Sequence, residues 1–90
     1  MRLDLFLRLS RLCPRRSAAQ QLCDAGFVFL NGRAAKSAHA VKVGDEIVIR
    51  SPDGETVARV LSVPATQNLS RKQAKDLVAI VSRTSREPDP

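Results

Sequence analysis

Residues 14–32 read PRRSAAQQLCDAGFVFLNG, and the spacing of apolar residues changes within this stretch. Its first half has apolar residues at helical spacing, and a proline suits the first turn of a helix. Gly26 is a typical helix stop, because glycine adopts the left-handed conformation that ends many helices. After Gly26 the period becomes two, and Asn31-Gly32 is the residue pair preferred in a type I′ hairpin turn. The stretch therefore predicts a helix over about residues 14–25, then a strand and a tight turn.

Another helical pattern precedes this stretch. Asp4, Arg8 and Arg11 recur at spacings of four and three residues, which predicts one polar helix face with local support from acid-before-base pairs. Most other positions here are leucine or phenylalanine, so we expect a largely buried helix with a narrow charged edge. Cys13 precedes Pro14, and a residue before proline disfavours helical geometry. The two predicted helices are therefore joined by a short connection and lie close together.

The residues after the hairpin predict further strands and a third helix. Strands are expected at residues 47–50 and 56–63, with turn-forming residues between them. Ser70 and Gln73 have the spacing of a capping box, which predicts a C-terminal helix. The pattern indicates the α+β class. We expect a domain at residues 1–63, a linker and C-terminal helix at residues 64–86, and a frayed tail at residues 87–90.

Charge indicates the kind of partner. The 90 residues carry a formal net charge of +6, which favours a polyanionic partner. Residues 1–50 hold nine basic and four acidic side chains, whereas residues 51–90 hold six and five. All three aromatic residues are phenylalanine, which leaves few platforms for stacking bases. If the partner is a nucleic acid, we expect contacts with its shape and phosphates to dominate.

Four arginines are candidates for phosphate contact. Arg15 and Arg16 fall in the first turn of the second predicted helix, where the helix dipole disfavours cations by about 0.3–1 kcal/mol each. Backbone N–H groups at a helix start bind anions, and two guanidiniums beside them would form a phosphate clamp. Arg8 and Arg11 of the first helix would join them on one face. Two solvated arginines that tolerate the small penalty are the structural alternative for Arg15 and Arg16.

Phe27 and Phe29 alternate along the predicted strand with Val28 and Leu30, so only one pair can point fully inside. Base stacking is the functional interpretation of the two phenylalanines. Packing of at least one of them in the core is the interpretation that we favour.

The sequence shows no pattern typical of catalysis or metal binding. Cys13 and Cys23 fit neither a CxxC pair nor a zinc site, so we expect free, buried thiols. His39 has no companion histidine, and no nucleophile motif or glycine-rich phosphate loop is present. We therefore expect no enzymatic activity, no cofactor and no metal. The longest apolar run falls short of the roughly 20 residues of a membrane span, so we expect a cytoplasmic protein.

Several short motifs follow one another in a specific order within residues 1–50. They are Met1-Arg2-Leu3-Asp4, Phe6-Leu7, Ser10-Arg11-Leu12, Arg15-Arg16, Ala19, Gly26, Asn31-Gly32, Ala35-Lys36 and Val41-Lys42-Val43-Gly44-Asp45-Glu46. Together they resemble the S-four RNA-binding domain, or alpha-L motif. Within that family the chain is most similar to the small free-standing bacterial proteins of ribosome-associated quality control, and more distantly to the heat-shock S-four protein.

The resemblance implies two helices packed on a short bent antiparallel sheet, with the helical face laid on structured RNA. Proteins of this group associate with large ribosomal subunits obstructed by peptidyl-tRNA, contact rRNA and tRNA, and work with a factor that tails the stalled nascent chain. For this chain the resemblance implies RNA contacts at Arg2 and Arg16, with Arg15 and Lys36 nearby. The group usually has a lysine where this chain has Leu5, which removes one cation.

We therefore expect a non-enzymatic, monomeric RNA-binding protein whose partners are the large ribosomal subunit, rRNA and tRNA, with a nascent-chain tailing factor as a further partner. The candidate RNA-binding residues are Arg2, Arg8, Arg11, Arg15, Arg16 and Lys36. Arg16→Ala is expected to abolish binding to large subunits and to leave thermal stability unchanged or slightly improved. The alternatives are an accessory subunit of an RNA-modifying enzyme, a nonspecific DNA binder, and a ubiquitin-like sulfur carrier, which would need a Gly-Gly end in place of Asp89-Pro90.

Overall fold

The computed structural model describes residues 1–52, 54–64, 73–74 and 76–85. In these residues two helices precede a five-stranded sheet. The elements are α1 (Leu3–Leu9), α2 (Arg16–Asp24), β1 (Val28–Leu30), β2 (Arg33–Ala34), β3 (Glu46–Ser51), β4 (Gly54–Val60) and β5 (Val78–Ser85). The strand order is β2-β1-β3-β4-β5, and every neighbouring pair is antiparallel. The predicted α+β class with an antiparallel sheet is therefore confirmed.

The buried centre of the fold is α1. Leu3, Phe6 and Leu7 are fully buried, and they share one core with inward-facing side chains of the sheet such as Val28 and Ile47. A helix of seven residues is too short to be stable alone in water. Burial of each large apolar side chain contributes about 1.5–3 kcal/mol, so packing against the sheet holds α1 in place.

The loop at residues 36–41 binds the start of α1. The first N–H groups of a helix have no partner within the helix, so they need acceptors from elsewhere. The Leu3 N–H donates to the His39 carbonyl at 2.8 Å, and the Asp4 N–H donates to the Ser37 carbonyl at 3.1 Å. The loop therefore fixes where α1 begins.

The predicted type I′ turn joins β1 to β2. Its two central residues, Asn31 and Gly32, have φ angles of 53° and 84°, as this turn type requires. The Asn31 side chain also reaches the loop before β3. Its Oδ1 accepts the Glu46 N–H at 2.9 Å, and its Nδ2 donates to Asp45 Oδ1 at 3.0 Å. The turn prediction is confirmed, and one side chain ties the turn to β3.

The first helix ends earlier than its pattern predicts. Residues 3–9 are helical, but Arg11 has a φ of 63°, in the left-handed region. This turn lets the Cys13 N–H donate to the Leu7 carbonyl at 3.0 Å, and it buries the Cys13 side chain. Arg11 therefore lies outside the helix, and the predicted helix face shared by Asp4, Arg8 and Arg11 is wrong.

The second helix begins later than predicted. Pro14 lies in the bend between the helices, and Arg15 is an extended N-cap residue with a φ of −140°. The first helical residue is Arg16, and the last is Asp24. Gly26 follows with a φ of 82°, which agrees with its predicted role as the helix stop.

The predicted C-terminal helix is wrong over residues 78–85, which form the strand β5. The strand pairs with β4 along its whole length, with one irregularity next to Val57. Val78, Ile80 and Val81 are β-branched, and such residues favour strands, so pairing with β4 prevails over the helical spacing. The predicted linker at residues 65–69, Ser70 of the capping box and the tail at residues 87–90 lie outside the described residues.

Both cysteines are free thiols in the core. Cys13 and Cys23 are 2% and 1% exposed, so the sequence-based expectation is confirmed. Burial raises the pKa of the Cys13 thiol. Burial, together with the nearby Cys13, Asp4 and Asp24, raises the pKa of Cys23 to about 11. Neither thiol is activated as a nucleophile.

Replacement of Asn31 by alanine should destabilise the fold. Alanine tolerates a left-handed φ poorly, and the variant also loses the hydrogen bonds to Asp45 and Glu46. We expect the free energy of unfolding to fall by about 1–2 kcal/mol. Urea unfolding followed by circular dichroism measures this, with Arg33→Ala in the exposed strand β2 as the control. A midpoint for Asn31→Ala equal to that of the control would contradict the role of this side chain.

Candidate RNA interface

A buried carboxylate lies at the start of α1. The Asp4 side chain is 0% exposed. Its Oδ2 accepts hydrogen bonds from Gln20 Nε2 at 2.8 Å and from Arg16 Nε at 3.2 Å. Its Oδ1 accepts the Leu5 N–H at 2.8 Å and Arg2 Nε at 3.2 Å. A second nitrogen of Arg2, Nη2, reaches Oδ2 at 3.3 Å, so this guanidinium binds both carboxylate oxygens.

These contacts determine the protonation state of Asp4. Burial raises the pKa of the carboxyl group, because it disfavours the charged form. The hydrogen bonds from Gln20, Arg16 and the Leu5 N–H, together with the positive charge of Arg16, act in the opposite direction and prevail. The pKa of Asp4 therefore lies below its ordinary value of 3.8, and the group is ionised at neutral pH.

Asp4 joins two helices and the N-terminus. Arg2 is the N-cap residue of α1, and Arg16 is the first residue of α2. Gln20 lies four residues after Arg16, so both project from the same face of α2 toward Asp4. Gln20 was not among the residues predicted from the sequence, and Asp4 was predicted to lie on a polar helix face. The available signal was an acidic residue within an otherwise apolar helix, combined with the i, i+4 spacing of Arg16 and Gln20.

The two guanidiniums bound to Asp4 also face solvent. The side chains of Arg2 and Arg16 are 50% and 40% exposed, although their partner carboxylate is completely buried. Each guanidinium has five N–H donors, of which Asp4 binds two in Arg2 and one in Arg16. Their exposed edges can donate to the oxygens of a phosphate group, for which arginine geometry is well suited.

The other candidate cations lie at separate positions. Arg15 is exposed next to Arg16, and Arg11 is exposed in the connection between the helices. Arg8 is half-buried on α1, and Asp4 binds Arg2 and Arg16 instead of this i+4 neighbour. Lys36 is exposed in the loop that binds the start of α1. The structure therefore brings Arg2 and Arg16 together on one carboxylate and leaves the other four cations outside this cluster.

Neither a metal-binding cluster nor a membrane-spanning helix is found in the described residues. Within residues 1–52, 54–64, 73–74 and 76–85, no three histidine, cysteine or acidic side chains lie close enough to hold a metal ion. None of the helices in the same ranges has the length and apolar character needed to cross a bilayer.

Comparison with known families identifies the N-terminal half. Residues 1–47 match the model of the S4 domain, which is the S-four family named above. The chain belongs to the S4 domain family. The matched residues include α1, α2 and the β1–β2 hairpin, and with them Asp4, Arg2, Arg16 and Gln20. The resemblance noted in the sequence is therefore confirmed.

Relatives of this S4 domain protein extend over most of its length. A protein of Halalkalibacterium halodurans, named RQC P-site tRNA stabilizing factor, is 38% identical over 80 residues, which covers 89% of either chain. A protein of the same name from Helicobacter pylori is 38% identical over 79 residues, covering 88% of this chain and 94% of its own.

Solved structures share the fold of this S4 domain protein. The solution structure of a hypothetical protein, HP1423, has a TM-score of 0.78 at 36% identity and covers 93% of this chain and 100% of that chain. Trimeric Heat Shock Protein 15 of Vibrio cholerae also has a TM-score of 0.78, at 26% identity, covering 91% and 82% of the two chains.

Acid should destabilise the protein through Asp4. A carboxyl group whose pKa is lowered by folding stabilises the fold above its ordinary pKa, and this contribution is lost as the pH falls through the folded-state pKa. We expect the free energy of unfolding to fall below about pH 4, and to fall less steeply in Asp4→Asn. Urea unfolding at a series of pH values measures this. For Asp24→Asn, which removes an exposed carboxylate, the free energy of unfolding should depend on pH as it does in the wild type. If Asp4→Asn also showed the wild-type pH dependence, the loss of stability in acid could not be assigned to Asp4.

Arg16→Ala and Gln20→Ala should both lower stability, because each removes a donor from a buried carboxylate. We expect a loss of about 1–2 kcal/mol for either variant. This prediction differs from the sequence-based expectation that Arg16→Ala leaves stability unchanged or improved, because that expectation considered only the helix dipole and not the bond to Asp4. Thermal unfolding measures the effect. Arg15→Ala, which removes the exposed neighbour, should stay within about 0.5 kcal/mol of the wild type. Wild-type stability of Arg16→Ala would restore the original expectation.

Proposed function

We propose that this S4 domain protein is a non-enzymatic RNA-binding factor that stabilises tRNA on the large ribosomal subunit during quality control of stalled translation. The observation that carries the proposal is the pair of half-exposed guanidiniums, Arg2 and Arg16, held by one buried carboxylate. The name of the relatives, RQC P-site tRNA stabilizing factor, supports tRNA as the class of RNA and quality control as the process.

The chemistry of the site supports phosphate binding. A free arginine side chain loses about 2 kcal/mol of rotamer entropy when it is immobilised. Arg2 and Arg16 are already held by Asp4 in the folded protein, so part of this cost does not arise on binding. One carboxylate and two guanidiniums leave one net positive charge in the cluster. The site therefore combines a fixed donor geometry with modest local charge.

Three exposed cations outside the cluster are included in the proposed surface. Arg11, Arg15 and Lys36 are exposed, and we assign them to contacts with further phosphates. Arg8 is half-buried and would contribute mainly through its charge. Leu5, which stands where the related group has a lysine, lies in the core at 9% exposure, so α1 supplies no cation at that position.

We further propose a monomer that works in the cytoplasm with large-subunit rRNA, tRNA and a nascent-chain tailing factor. RNA binding is assigned to the module at residues 1–63, and β5 extends the sheet of this module at its β4 edge. The related Heat Shock Protein 15 was solved as a trimer. The proposed monomer should therefore be checked by sedimentation of the free protein, and a trimer would contradict it.

Arg16→Ala should weaken binding to large ribosomal subunits that carry peptidyl-tRNA by about tenfold or more, the effect of losing one charge-assisted phosphate contact. Gln20→Ala is the matched variant, because it removes a neighbouring partner of the same carboxylate and keeps every cation. We expect Gln20→Ala to bind within about threefold of the wild type. Cosedimentation with purified subunits, at a temperature where both variants are folded, measures the difference.

Equal losses in Arg16→Ala and Gln20→Ala would mean that Arg16 acts only on the structure of the site. The dependence on salt provides a second criterion. If about five cations each neutralise one phosphate, the affinity should fall with salt with a log–log slope of about −4. A flat response would contradict phosphate contact, and competition by duplex DNA as strong as that by rRNA would indicate nonspecific binding.

A further inference from the structure

A shallow groove lies on the face of the sheet that points away from α1. Alternation along β1 buries Val28 and Leu30 and turns Phe29 to this outer face. On β3 the buried Ile49 is followed by the exposed Arg50. The groove has a volume of about 490 Å3 and is lined by Gly26, Phe27, Phe29, Arg50, Ser51 and Pro52.

Two of the three aromatic residues of the chain meet at this groove. Phe27 is 44% exposed and Phe29 is half-buried, so the expectation that one of them packs in the core is wrong. Val28 and Leu30, which alternate with the two phenylalanines, are the residues near this position whose side chains enter the core. The ring of Phe27 therefore lies outside the core and is accessible to a ligand.

Arg50 adds a cation to the aromatic groove. Its Cζ lies 4.8 Å from the centre of the Phe29 ring, a distance at which the cation is attracted to the ring face. Its Nε also donates to Glu55 Oε2 at 3.1 Å, in an exposed ion pair. The Arg50 side chain is still 57% exposed. The groove thus offers an exposed aromatic ring beside a guanidinium.

We propose that this groove binds one unpaired nucleobase of RNA, stacked on Phe27, with Arg50 donating to the adjacent phosphate. A nucleotide joins a flat apolar ring to a negative charge, and the groove pairs the complementary groups. Glu55 binds only one of the five N–H donors of Arg50. The remaining donors could bind a phosphate, which a nucleotide supplies and an apolar peptide segment does not. The volume is within the range of about 300–1,000 Å3 of small-ligand sites.

This second contact rests on the proposed function for its ligand, RNA, but uses none of the residues around Asp4. Phosphate contacts position a protein on RNA without reading its bases, whereas a stacked base selects an unpaired nucleotide. The phosphate contacts near Asp4 would recognise the shape of the RNA, and the groove would in addition require an unpaired nucleotide.

The test compares two probes at low salt: an oligoadenylate of eight nucleotides, and a strand of the same length made of abasic spacers. Stacking of one base implies that Phe27→Ala weakens oligoadenylate binding by about fivefold to 100-fold and leaves binding of the abasic strand unchanged. Phe27→Leu, which keeps apolar bulk without an aromatic face, should behave like Phe27→Ala. Val43→Ala, which shortens a 65% exposed apolar side chain outside the groove, should bind both probes like the wild type.

Three results would overturn the groove proposal. The first is that the wild type binds the two probes with equal affinity. The second is that Phe27→Leu binds oligoadenylate as well as the wild type does. The third is that Phe27→Ala loses subunit binding but still binds oligoadenylate, which would indicate a protein contact. The proposed function is tested separately on large subunits with Arg16→Ala. A wild type that binds subunits but does not distinguish the probes would therefore refute the groove and leave the proposed function standing.

Discussion

The arrangement of the N-terminal half depends on one interaction, the binding of the buried Asp4 carboxylate by Arg2, Arg16 and Gln20. A charged group without contact with water is strongly unfavourable unless donors surround it. Asp4 belongs to a helix whose other inward residues are apolar, so its donors must come from neighbouring segments. The N-terminal extension and the first turns of α2 supply them. The carboxylate thereby fixes where α2 lies against α1, and it fixes two cations at the same time.

This arrangement explains how a small domain can present arginines at a helix start, where the dipole disfavours them. For Arg16 the unfavourable term is offset by the hydrogen bond to Asp4, with a length of 3.2 Å. Arg15, one residue earlier, is extended and exposed, so it is free to take the geometry that a ligand requires. The two adjacent arginines therefore differ in how firmly the fold holds their side chains. Folding positions Arg16, whereas the exposed side chain of Arg15 can change its conformation.

Local rules predicted those parts of the fold that local interactions determine. The alternation of β1, the type I′ turn at Asn31-Gly32 and the stop at Gly26 depend on neighbouring residues, and all three follow from the sequence. The conformation of residues 78–85 depends on β4, which lies far away in sequence, so helical spacing was misleading there. Asp4 shows the same limit at the site. Its spacing to Arg8 fits a surface pair, but burial by the sheet and α2 decides its partners.

The two faces of the sheet differ in how strongly the fold restricts the residue type at each position. Strand alternation requires that the neighbours of Val28 and Leu30 point outward, but it does not require them to be aromatic. On the inner face residue types are restricted by volume, because the core is close-packed. On the outer face no such restriction acts on Phe27, so the identity of that residue is free to serve binding. Arg50, which lies over the Phe29 ring and pairs with Glu55, adds a cation to this outer face, separate from the cluster at Asp4.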